Sequence, residues 1–390
     1  MTPTRLFKEF FDSEKSAGIV LIICTIISLL LANSSLQHNY LHLWHLQFAG
    51  LSIEHWINEA LMAIFFLLIG LELKRELFVG ELSSFKNALL PVFAAAGGMI
   101  IPAALYAFFN HGKITQSGAG IPMATDIAFA IGVLSLLGNR VSASLKTLLT
   151  AIAVIDDLGA ILVIAIFYTA SLSLISLFIV FAIFGILLLL NKLKINFLFL
   201  YILGGIFMWY FMLQSGVHST LAGILLAFAI PFKKDDENSL SNKLEHWLHK
   251  PVSFIILPLF ALANTAIIFS SGWSTGLANA GSIGIFSGLI IGKPLGVFLF
   301  SFLAVSMGIC SLPLDLKWKQ VVGIGMLAGI GFTMSIFITL LAYENPDLIT
   351  QSKIAILFAS LISGVFGFLW LLSSLKNQAT NSLKNNNSFD

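Results

Sequence analysis

The chain has 390 residues, of which 58% are hydrophobic and only 10% are charged. A mean hydropathy of +0.95 excludes an ordinary soluble domain. The net charge of +2 is uninformative in sum, and nucleic acid is not an expected partner. At about 20 residues per membrane span plus short loops, this length allows about a dozen transmembrane helices in a lipid bilayer.

The N-terminus carries Arg5, Lys8 and Lys15, and an apolar stretch follows from Ala17 to Ala32. A small-residue cleavage site does not follow this stretch. It therefore predicts a retained first helix and not a removed signal peptide.

Apolar windows bounded by polar residues, glycine or proline divide the chain into twelve predicted spans. They cover residues 16–35, 57–78, 88–109, 118–138, 144–169, 173–190, 196–212, 216–231, 250–269, 282–305, 320–343 and 352–374. With the N-terminus in the cytoplasm, 18 of the 21 Lys and Arg residues fall on the cytoplasmic side. Lys113 and Lys353 fall outside, and Lys293 lies within a span. This asymmetry is the positive-inside rule, and it indicates twelve helices with both termini in the cytoplasm.

These spans predict an all-α polytopic membrane protein. We expect one transmembrane domain over residues 1–375. The segment 376–390 is rich in Asn, Ser and Lys and is predicted to be a disordered cytoplasmic tail.

The loop between spans 1 and 2 contains a small predicted β-hairpin. Leu46–Phe48 and Leu51–Ile53 flank the two-residue turn Ala49-Gly50. Because an isolated hairpin is marginal in water, we expect this one to pair with something, and a second copy of the chain is the candidate. A surface loop without a partner is the alternative. The neighbouring side chains suit an interfacial aromatic belt, and they are His38, His42, Trp44, His45, His55 and Trp56.

Charged residues gather near the cytoplasmic end of span 2 and just before span 9. They are Glu72, Lys74, Arg75 and Glu76 in the first group, and Glu245, His246 and His249 in the second. Histidine titrates near neutrality, so these groups could report cytoplasmic pH to the helices. A solvated helix end that obeys the positive-inside rule is the alternative reading.

Asp126 is the sole charge between Lys113 and Arg140, and it follows glycine, proline and threonine. Glycine and proline make span 4 poor continuous helix. Span 11 is weakened in the same way by four glycines from Gly323 to Gly331. In transporters built from inverted repeats, interrupted helices in corresponding positions mark the ion site. Close helix packing is the alternative use of such glycines.

Asp156 and Asp157 are the only charged side chains between Lys146 and Lys192. A charge at mid-bilayer depth costs roughly 2.5–3.5 kcal/mol on insertion scales, so two in succession indicate a function. The pair is typical of a proton or cation relay. Carboxylates, a threonine hydroxyl and freed backbone carbonyls are hard oxygen ligands, which suit small hard cations; no cofactor is expected.

Lys293 is the only charge in the 64 residues from Pro251 to Leu314. A lone buried ammonium needs a partner, and the candidates are Asp126, Asp156 and Asp157. Alternatively, Lys293 balances the negative C-terminal half-dipoles of the two interrupted helices. Asp126 would then balance the positive half-dipoles at the N-terminal ends. A purely structural ion pair is a further alternative.

Six segments, in order along the chain, resemble the hallmark motifs of NhaA-type Na⁺/H⁺ antiporters. They are Phe65–Glu76 (FFLLIGLELKRE), Pro122–Phe129 (PMATDIAF), Ala153–Gly159 (AVIDDLG), Ser215–His218 (SGVH) with Leu221–Gly223 (LAG), Gly292–Gly296 (GKPLG) and Gly329–Phe337 (GIGFTMSIF). The resemblance extends from span 2 to span 11. It implies inverted-topology repeats with spans 4 and 11 unwound and crossing at mid-membrane, an architecture of which this family is a type example.

Carried over position by position, the resemblance implies that Asp156 and Asp157 bind Na⁺ and the exchanged protons. It also implies that Lys293 pairs with Asp156, and that Asp126 and Thr125 balance the helix ends and support the site. The implied pH-responsive network contains Glu72, Arg75, Glu76, Glu245, His246 and His249.

The predicted function is electrogenic, pH-activated exchange of cytoplasmic Na⁺ or Li⁺ for periplasmic H⁺ across a bacterial inner membrane. The protein would be a secondary active transporter and not an enzyme, and the resemblance supports a homodimer through the hairpin. One position departs from the family pattern, because Asn58-Glu59-Ala60 stands where Asn-Asp-Gly is expected.

Two rival functions belong to other classes. An intramembrane aspartyl protease needs its two aspartates on different helices, whereas here they are consecutive and a GxGD motif is missing from the sequence. A sodium-coupled symporter of an organic solute would share the architecture but would need a roomy polar pocket beyond the ion site.

Overall fold

The structure is a computed structural model that describes residues 14–168, 172–234, 236, 239–269 and 273–386. The basic residues Arg5 and Lys8 therefore lie outside the described residues. The helices and strands, in chain order, are α1 Glu14–Ala32, α2 Gln37–His45, β1 Gln47–Phe48, β2 Leu51–Ser52, α3 Ile53–Phe78, α4 Phe85–Asn110, α5 Ile127–Ser135, α6 Ala143–Phe167, α7 Leu174–Lys192, α8 Leu198–Gln214, α9 Leu221–Ala229, α10 Leu240–Asn264, α11 Trp273–Gly276, α12 Ala280–Ser306, α13 Trp318–Ala328, α14 Phe332–Ala342 and α15 Pro346–Asn386. Short 3-10 segments occupy Glu81–Ser83, Gln116–Met123 and Gly138–Arg140.

Most of these helices have the length and composition of membrane spans. Within the described residues, nine helical segments are long and apolar enough to cross a membrane, or ten if α13 and α14 count as one span bent by 48°. The predicted all-α membrane class is therefore confirmed. The total of twelve spans stays a prediction.

The predicted hairpin is present. Its two strands are antiparallel, with Gln47 opposite Ser52 and Phe48 opposite Leu51. The turn residues Ala49 and Gly50 both have positive φ, 49° and 86°, as a two-residue hairpin turn of type I′ requires.

Several boundaries differ from those that the apolar windows predict. Helix α2 forms in the predicted loop, where its sequence contains neither glycine nor proline. Helix α9 starts at Leu221 and not at 216, because Gly216 sits in a turn at φ 81°. Helix α10 starts at Leu240, ahead of the predicted 250, because the Ser239 side chain caps it. Helix α15 runs from Pro346 to Asn386. The disordered tail expected from residue 376 stays a prediction.

The chain forms two compact units. The first comprises Met1–Ile19, Phe85–Asp156 and Ser270–Asp390. The second comprises Val20–Ser84 and Asp157–Phe269.

In the first unit, α4 and α12 pack backbone against backbone. A Cβ added to Gly97 would lie 2.1 Å from the carbonyl oxygen of Gly296, and a Cβ on Gly296 would lie 2.0 Å from that of Gly97. Helix association in lipid depends on such close packing, because the hydrophobic effect does not distinguish a neighbouring helix from a lipid tail. The contact fixes the position of Lys293, which begins the last part of α12 one turn before Gly296.

In the second unit, a buried lysine caps the C-terminal end of α9. The ammonium of Lys74 donates to the carbonyl oxygens of Ala227 (3.2 Å) and Phe228 (3.0 Å), and also to that of Ile230. The last carbonyls of a helix lack partners within the helix and carry partial negative charge, so a cation stabilises them. The sequence groups Lys74 with the charges at the predicted cytoplasmic end of span 2, for which a solvated helix end is the alternative. The structure buries Lys74, with 5% of its surface exposed.

Candidate ion-binding site

Two helices of the first unit are interrupted, and the two breaks touch. The 3-10 segment Gln116–Met123 gives way to extended backbone before α5 begins at Ile127. Helix α13 ends at Ala328, and α14 begins at Phe332 after a glycine-containing break. The backbone N–H of Asp126 in the first break donates to the carbonyl oxygen of Ile330 in the second, at 2.7 Å.

Asp126 caps two helices with one carboxylate. Its Oδ1 accepts from the N–H of Phe129 in α5 at 2.9 Å. Its Oδ2 accepts from the N–H of Thr333 in α14 at 3.1 Å and from the Thr333 hydroxyl. Both helix N-termini carry partial positive charge, so a carboxylate stabilises them. The hydroxyl of Ser360, from α15, accepts from the N–H of Phe332 at 3.1 Å and completes the capping of α14.

Thr125, the residue before Asp126 in the first break, contacts both the charged pair and the end of α13. Its Oγ1 lies 2.8 Å from the carbonyl oxygen of Ala328, the last residue of α13. It lies 2.7 Å from Asp156 Oδ2 and 2.9 Å from Lys293 Nζ. The hydroxyl can accept from the ammonium while it donates to the carboxylate or to the carbonyl. The positive charge of Lys293 is thereby held near the negative end of α13.

Lys293 forms a salt bridge with Asp156, one of the three aspartates considered as its partner. Both side chains have no exposed surface. Pairing offsets part of the desolvation cost of both charges, and removal of one partner would leave the other uncompensated. The salt bridge uses Oδ2 of Asp156, whereas Oδ1 is buried without a hydrogen-bond partner among the described residues. This second oxygen is a hard ligand that a small cation can bind.

Asp157 follows Asp156 on α6 and is 1% exposed. At 100° of rotation per residue the two carboxylates point in neighbouring directions. Within the first unit, the arrangement combines the Asp156 carboxylate, the Lys293 ammonium and the Thr125 hydroxyl, and the protonation states of the carboxylate and the ammonium are coupled.

The two charge groups predicted at the cytoplasmic side lie in the second unit, and an arginine joins them. Arg75 Nε lies 2.9 Å from Glu245 Oε1, and Arg75 Nη2 lies 3.4 Å from Glu76 Oε1. The pair of Arg75 and Glu245 connects α3 to α10. Glu72 interacts electrostatically with Glu245 and Arg75, and His246 with Glu245. His246 and His249 are exposed on α10.

Glu59, which stands where the family pattern has Asp, has hydrogen-bond partners within the second unit. The Ser219 hydroxyl donates to its carboxylate, and the indole N–H of Trp209 donates to its backbone carbonyl at 3.2 Å. The longer acid thus has a hydroxyl partner at the start of the α9 region.

Two residues of the site have no role in the sequence predictions. Thr333 stands directly after the glycine break of span 11, and that position is its only sequence signal. Ser360 is one serine among several on the last helix, and no sequence pattern distinguishes it.

A membrane-spanning helical protein whose interrupted helices surround a buried carboxylate–ammonium pair belongs to the class of ion-translocating transporters. The model of the Na⁺/H⁺ antiporter 1 family matches residues 8–371. The chain belongs to this family.

Individual relatives extend over nearly the whole chain. The Na⁺/H⁺ antiporter NhaA of Flavobacterium psychrophilum is 62% identical over 377 residues, which is 97% of this chain and 98% of that protein. The Na⁺/H⁺ antiporter NhaA of Cytophaga hutchinsonii is 58% identical over 383 residues, 98% of this chain and 99% of that protein. Among solved structures, the sodium proton antiporter MjNhaP1 from Methanocaldococcus jannaschii is similar with a TM-score of 0.53. Its 16% identity, over 95% of this chain and 100% of that one, supports the fold alone.

Proposed function

We propose that this chain exchanges cytoplasmic Na⁺ or Li⁺ for H⁺ from the periplasm, as a pH-activated, electrogenic transporter of a bacterial inner membrane. The observation that carries the proposal is the buried salt bridge of Asp156 and Lys293, in which Oδ1 of Asp156 has no hydrogen-bond partner among the described residues. The relatives named above are antiporters by name, which supports antiport over sodium-coupled symport.

Competition for the same oxygens couples the two ions. Protonated carboxylates carry no charge and have little affinity for Na⁺. Loss of their protons creates an anionic pocket that a hard cation enters. Because proton and cation exclude each other from one set of oxygens, exchange needs no separate coupling device.

Net charge movement follows from the number of titrating groups. Asp156, Asp157 and Lys293 form one coupled set, which can release two protons for each monovalent cation that binds. The membrane potential and the proton gradient then both contribute to export of the cation. High cytoplasmic pH favours the deprotonated set and activates exchange, and low pH silences it.

The helix breaks hold this set in place. Asp126 compensates the N-terminal ends of α5 and α14, and Thr125 links Lys293 to the C-terminal end of α13. A fixed dipole at the site needs no reorganisation when the ion binds.

The test uses inside-out membrane vesicles whose lumen is acidified by respiration. A ΔpH dye is followed when NaCl, LiCl or KCl is added between about pH 6.5 and pH 8.5, values around the ordinary neutral range. Na⁺ should collapse the pH gradient for the unchanged chain, and Asp157→Asn should abolish the response. Asp347→Asn, which alters an exposed aspartate at the start of α15, is the matched control and should respond normally. A normal response from Asp157→Asn, or none to any cation from the unchanged chain, would refute the proposal.

We also propose that Glu72, Arg75, Glu76, Glu245, His246 and His249 set the pH range of activation. The ion pair of Arg75 and Glu245 joins α3 to α10, so protonation of the carboxylate would loosen that connection. Glu245→Gln should therefore shift the pH profile of exchange without abolishing it, whereas Glu344→Gln, at an exposed position, should leave the profile unchanged.

The finer architecture is part of the proposal. The nine long segments and the bent pair make ten spans in the described part of the chain. The shorter apolar helices α8 and α9 bring the total to twelve. We infer that these form one transporter domain over residues 1–375 with inverted repeats, crossing interrupted helices and both termini in the cytoplasm.

A homodimer through the hairpin completes the proposal. Both residues of β1 are exposed, and Phe48 exposes 69% of its surface. An uncovered strand edge is a template for pairing with another chain. Removal of residues 47–52 should shift the purified protein from dimer to monomer in light scattering, and a persistent dimer would remove the hairpin from the interface.

A further inference from the structure

Helix α2 presents three histidines on one face. His38, His42 and His45 follow each other at spacings of four and three, so the 100° rotation per residue brings them within a narrow sector. Together with Ser34 and Gln37 they line an open cavity of about 570 Å³. The transport mechanism above uses none of these side chains.

The opposite face of α2 is anchored within the second unit. The Tyr40 hydroxyl lies 2.9 Å from both Ser28 Oγ and the carbonyl oxygen of Leu262. The ring of Trp44 is buried and packs edge-on against Tyr40, with centroids 5.6 Å apart. Anchoring one face fixes the direction in which the histidine face points, so little ordering is needed when a ligand binds there.

His38 and His42 have the spacing and separation of two ligands to one metal ion. Two histidines at i and i+4 on a helix are the arrangement that zinc-binding helices use. Their ring centroids lie 6.3 Å apart, with ring planes inclined by 30°. A shared ion about 2.0–2.1 Å from one nitrogen of each ring would bring the centroids to roughly 5–6 Å. Both side chains are exposed, so a small rotation closes the difference.

The third histidine is directed elsewhere. His45 Nδ1 lies 3.9 Å from Glu54 Oε2, at the start of α3. Within the described residues, no group of three or more His, Cys, Asp or Glu side chains is placed to hold a metal ion. A site on α2 therefore has two protein ligands, and water completes the coordination sphere.

We propose that His38 and His42 bind one borderline divalent transition metal, with Zn²⁺ as the representative ion. Imidazole nitrogen suits Zn²⁺, Ni²⁺ and Cu²⁺, whereas Ca²⁺ and Mg²⁺ require oxygen ligands. The site is separate from the transported-ion site, which offers carboxylate, hydroxyl and carbonyl oxygens. This proposal therefore does not depend on the proposed antiport.

The experiment measures Zn²⁺ binding to the purified full-length chain in detergent, prepared with an affinity tag that contains no histidine. Calorimetric titration should show one more Zn²⁺ per chain for the unchanged protein than for His42→Ala or His38→Ala. Loss of one of two ligands should weaken binding by at least tenfold, the smallest loss expected when even an outer-sphere partner is removed. Ca²⁺ and Mg²⁺ should not compete.

Two matched variants distinguish the pair from unspecific binding by surface histidines. His55→Ala removes an exposed histidine that has no other histidine three or four residues away, and it should keep the site intact. His45→Ala should also retain binding within about twofold, because its ring faces Glu54. Equal loss in either variant would overturn the assignment. So would one Zn²⁺ per two chains, which would place the ion between copies.

Discussion

At the scale of single residues, the hydroxyl of Thr125 is the group that joins the charged pair to the helix break. It contacts Asp156, Lys293 and the last carbonyl of α13 at distances from 2.7 to 2.9 Å. An aliphatic side chain of the same shape would keep the packing and remove every one of these contacts. Substitution of Thr125 therefore separates the contribution of its hydrogen bonds to Na⁺ affinity from the contribution of its side-chain volume.

Thr125→Val should weaken the apparent affinity for Na⁺ while the protein stays folded. Hydrogen bonds to charged groups contribute about 1.5–3 kcal/mol, and 1.4 kcal/mol corresponds to a factor of ten. We expect the half-maximal Na⁺ concentration in the vesicle assay to rise about tenfold or more.

The matched control is Thr265→Val. Its hydroxyl is also buried but bonds only to the carbonyl oxygen of Ala261, one turn earlier in its own helix. Equal effects of the two variants would show that loss of a buried threonine hydroxyl, and not its position at the charged pair, changes Na⁺ affinity.

At the scale of helices, α14 is capped from outside its own chain segment. Gly331 precedes it and offers no side chain, so the carboxylate of Asp126 and the hydroxyl of Ser360 supply the missing acceptors. A half-helix that begins in the middle of a membrane protein cannot use water for this purpose. The last helix thus stabilises the break through a serine.

Ser360→Ala should lower the stability of the protein by about 1 kcal/mol, the usual effect of losing a helix cap. The apparent Tm in detergent should fall by about 1 °C, because the unfolding entropy grows with the length of the chain. Ser363→Ala is the control, because Ser363 is buried on the same helix and its hydroxyl has no hydrogen-bond partner among the described residues. A Tm loss as large in Ser363→Ala would assign the effect to the cavity and not to the cap.

Helix α9 has the opposite arrangement, with its C-terminal carbonyls capped by Lys74. Lys74→Met should remove three charge-assisted hydrogen bonds and lower the free energy of unfolding by about 2 kcal/mol or more. Lys86→Met, which alters an exposed lysine, should change the apparent Tm little. If the two variants lowered Tm equally, loss of a positive charge and not loss of the cap would be the cause.

The sequence predicts which residues are unusual better than it predicts whom they contact. Asp126, Asp156 and Lys293 stand out because each interrupts a long apolar run, where a charge is costly. The pairing of Asp156 with Lys293 depends on how their two helices pack, and the two residues are 137 positions apart in the sequence. Apolar periodicity contains no information about such packing. The resemblance to a known family is what indicated that choice.

Short structures were harder to predict than long spans. The window that detects membrane helices is too long to detect the nine residues of α2. The hairpin was predictable because a glycine-containing turn leaves a local signal. A capping residue such as Ser360 leaves no such signal, since nothing in the sequence distinguishes it from the other serines of α15.

At the scale of the whole molecule, the distribution of basic residues predicts how the chain is oriented in the membrane. The positive-inside rule applied to twelve spans puts the loop with Lys113 outside and the loop with Lys234 in the cytoplasm. Orientation matters for regulation, because it decides on which side of the membrane the proposed pH-responsive residues lie. The direction of exchange itself is set by the ion gradients and the membrane potential.

Cysteine labelling tests this orientation. In a chain with Cys24→Ala and Cys310→Ala, Lys113→Cys should react with a membrane-impermeant maleimide in spheroplasts, and Lys234→Cys only in inside-out vesicles. Both positions are exposed, so access and not burial decides the labelling. Burial raises the pKa of Cys310, which lowers the thiolate fraction of that native thiol. The twelve-span topology places five spans, an odd number, between the two positions, so they should lie on opposite sides of the membrane. Labelling of both positions from one side would mean that an even number of spans separates them. That result would refute the twelve-span topology.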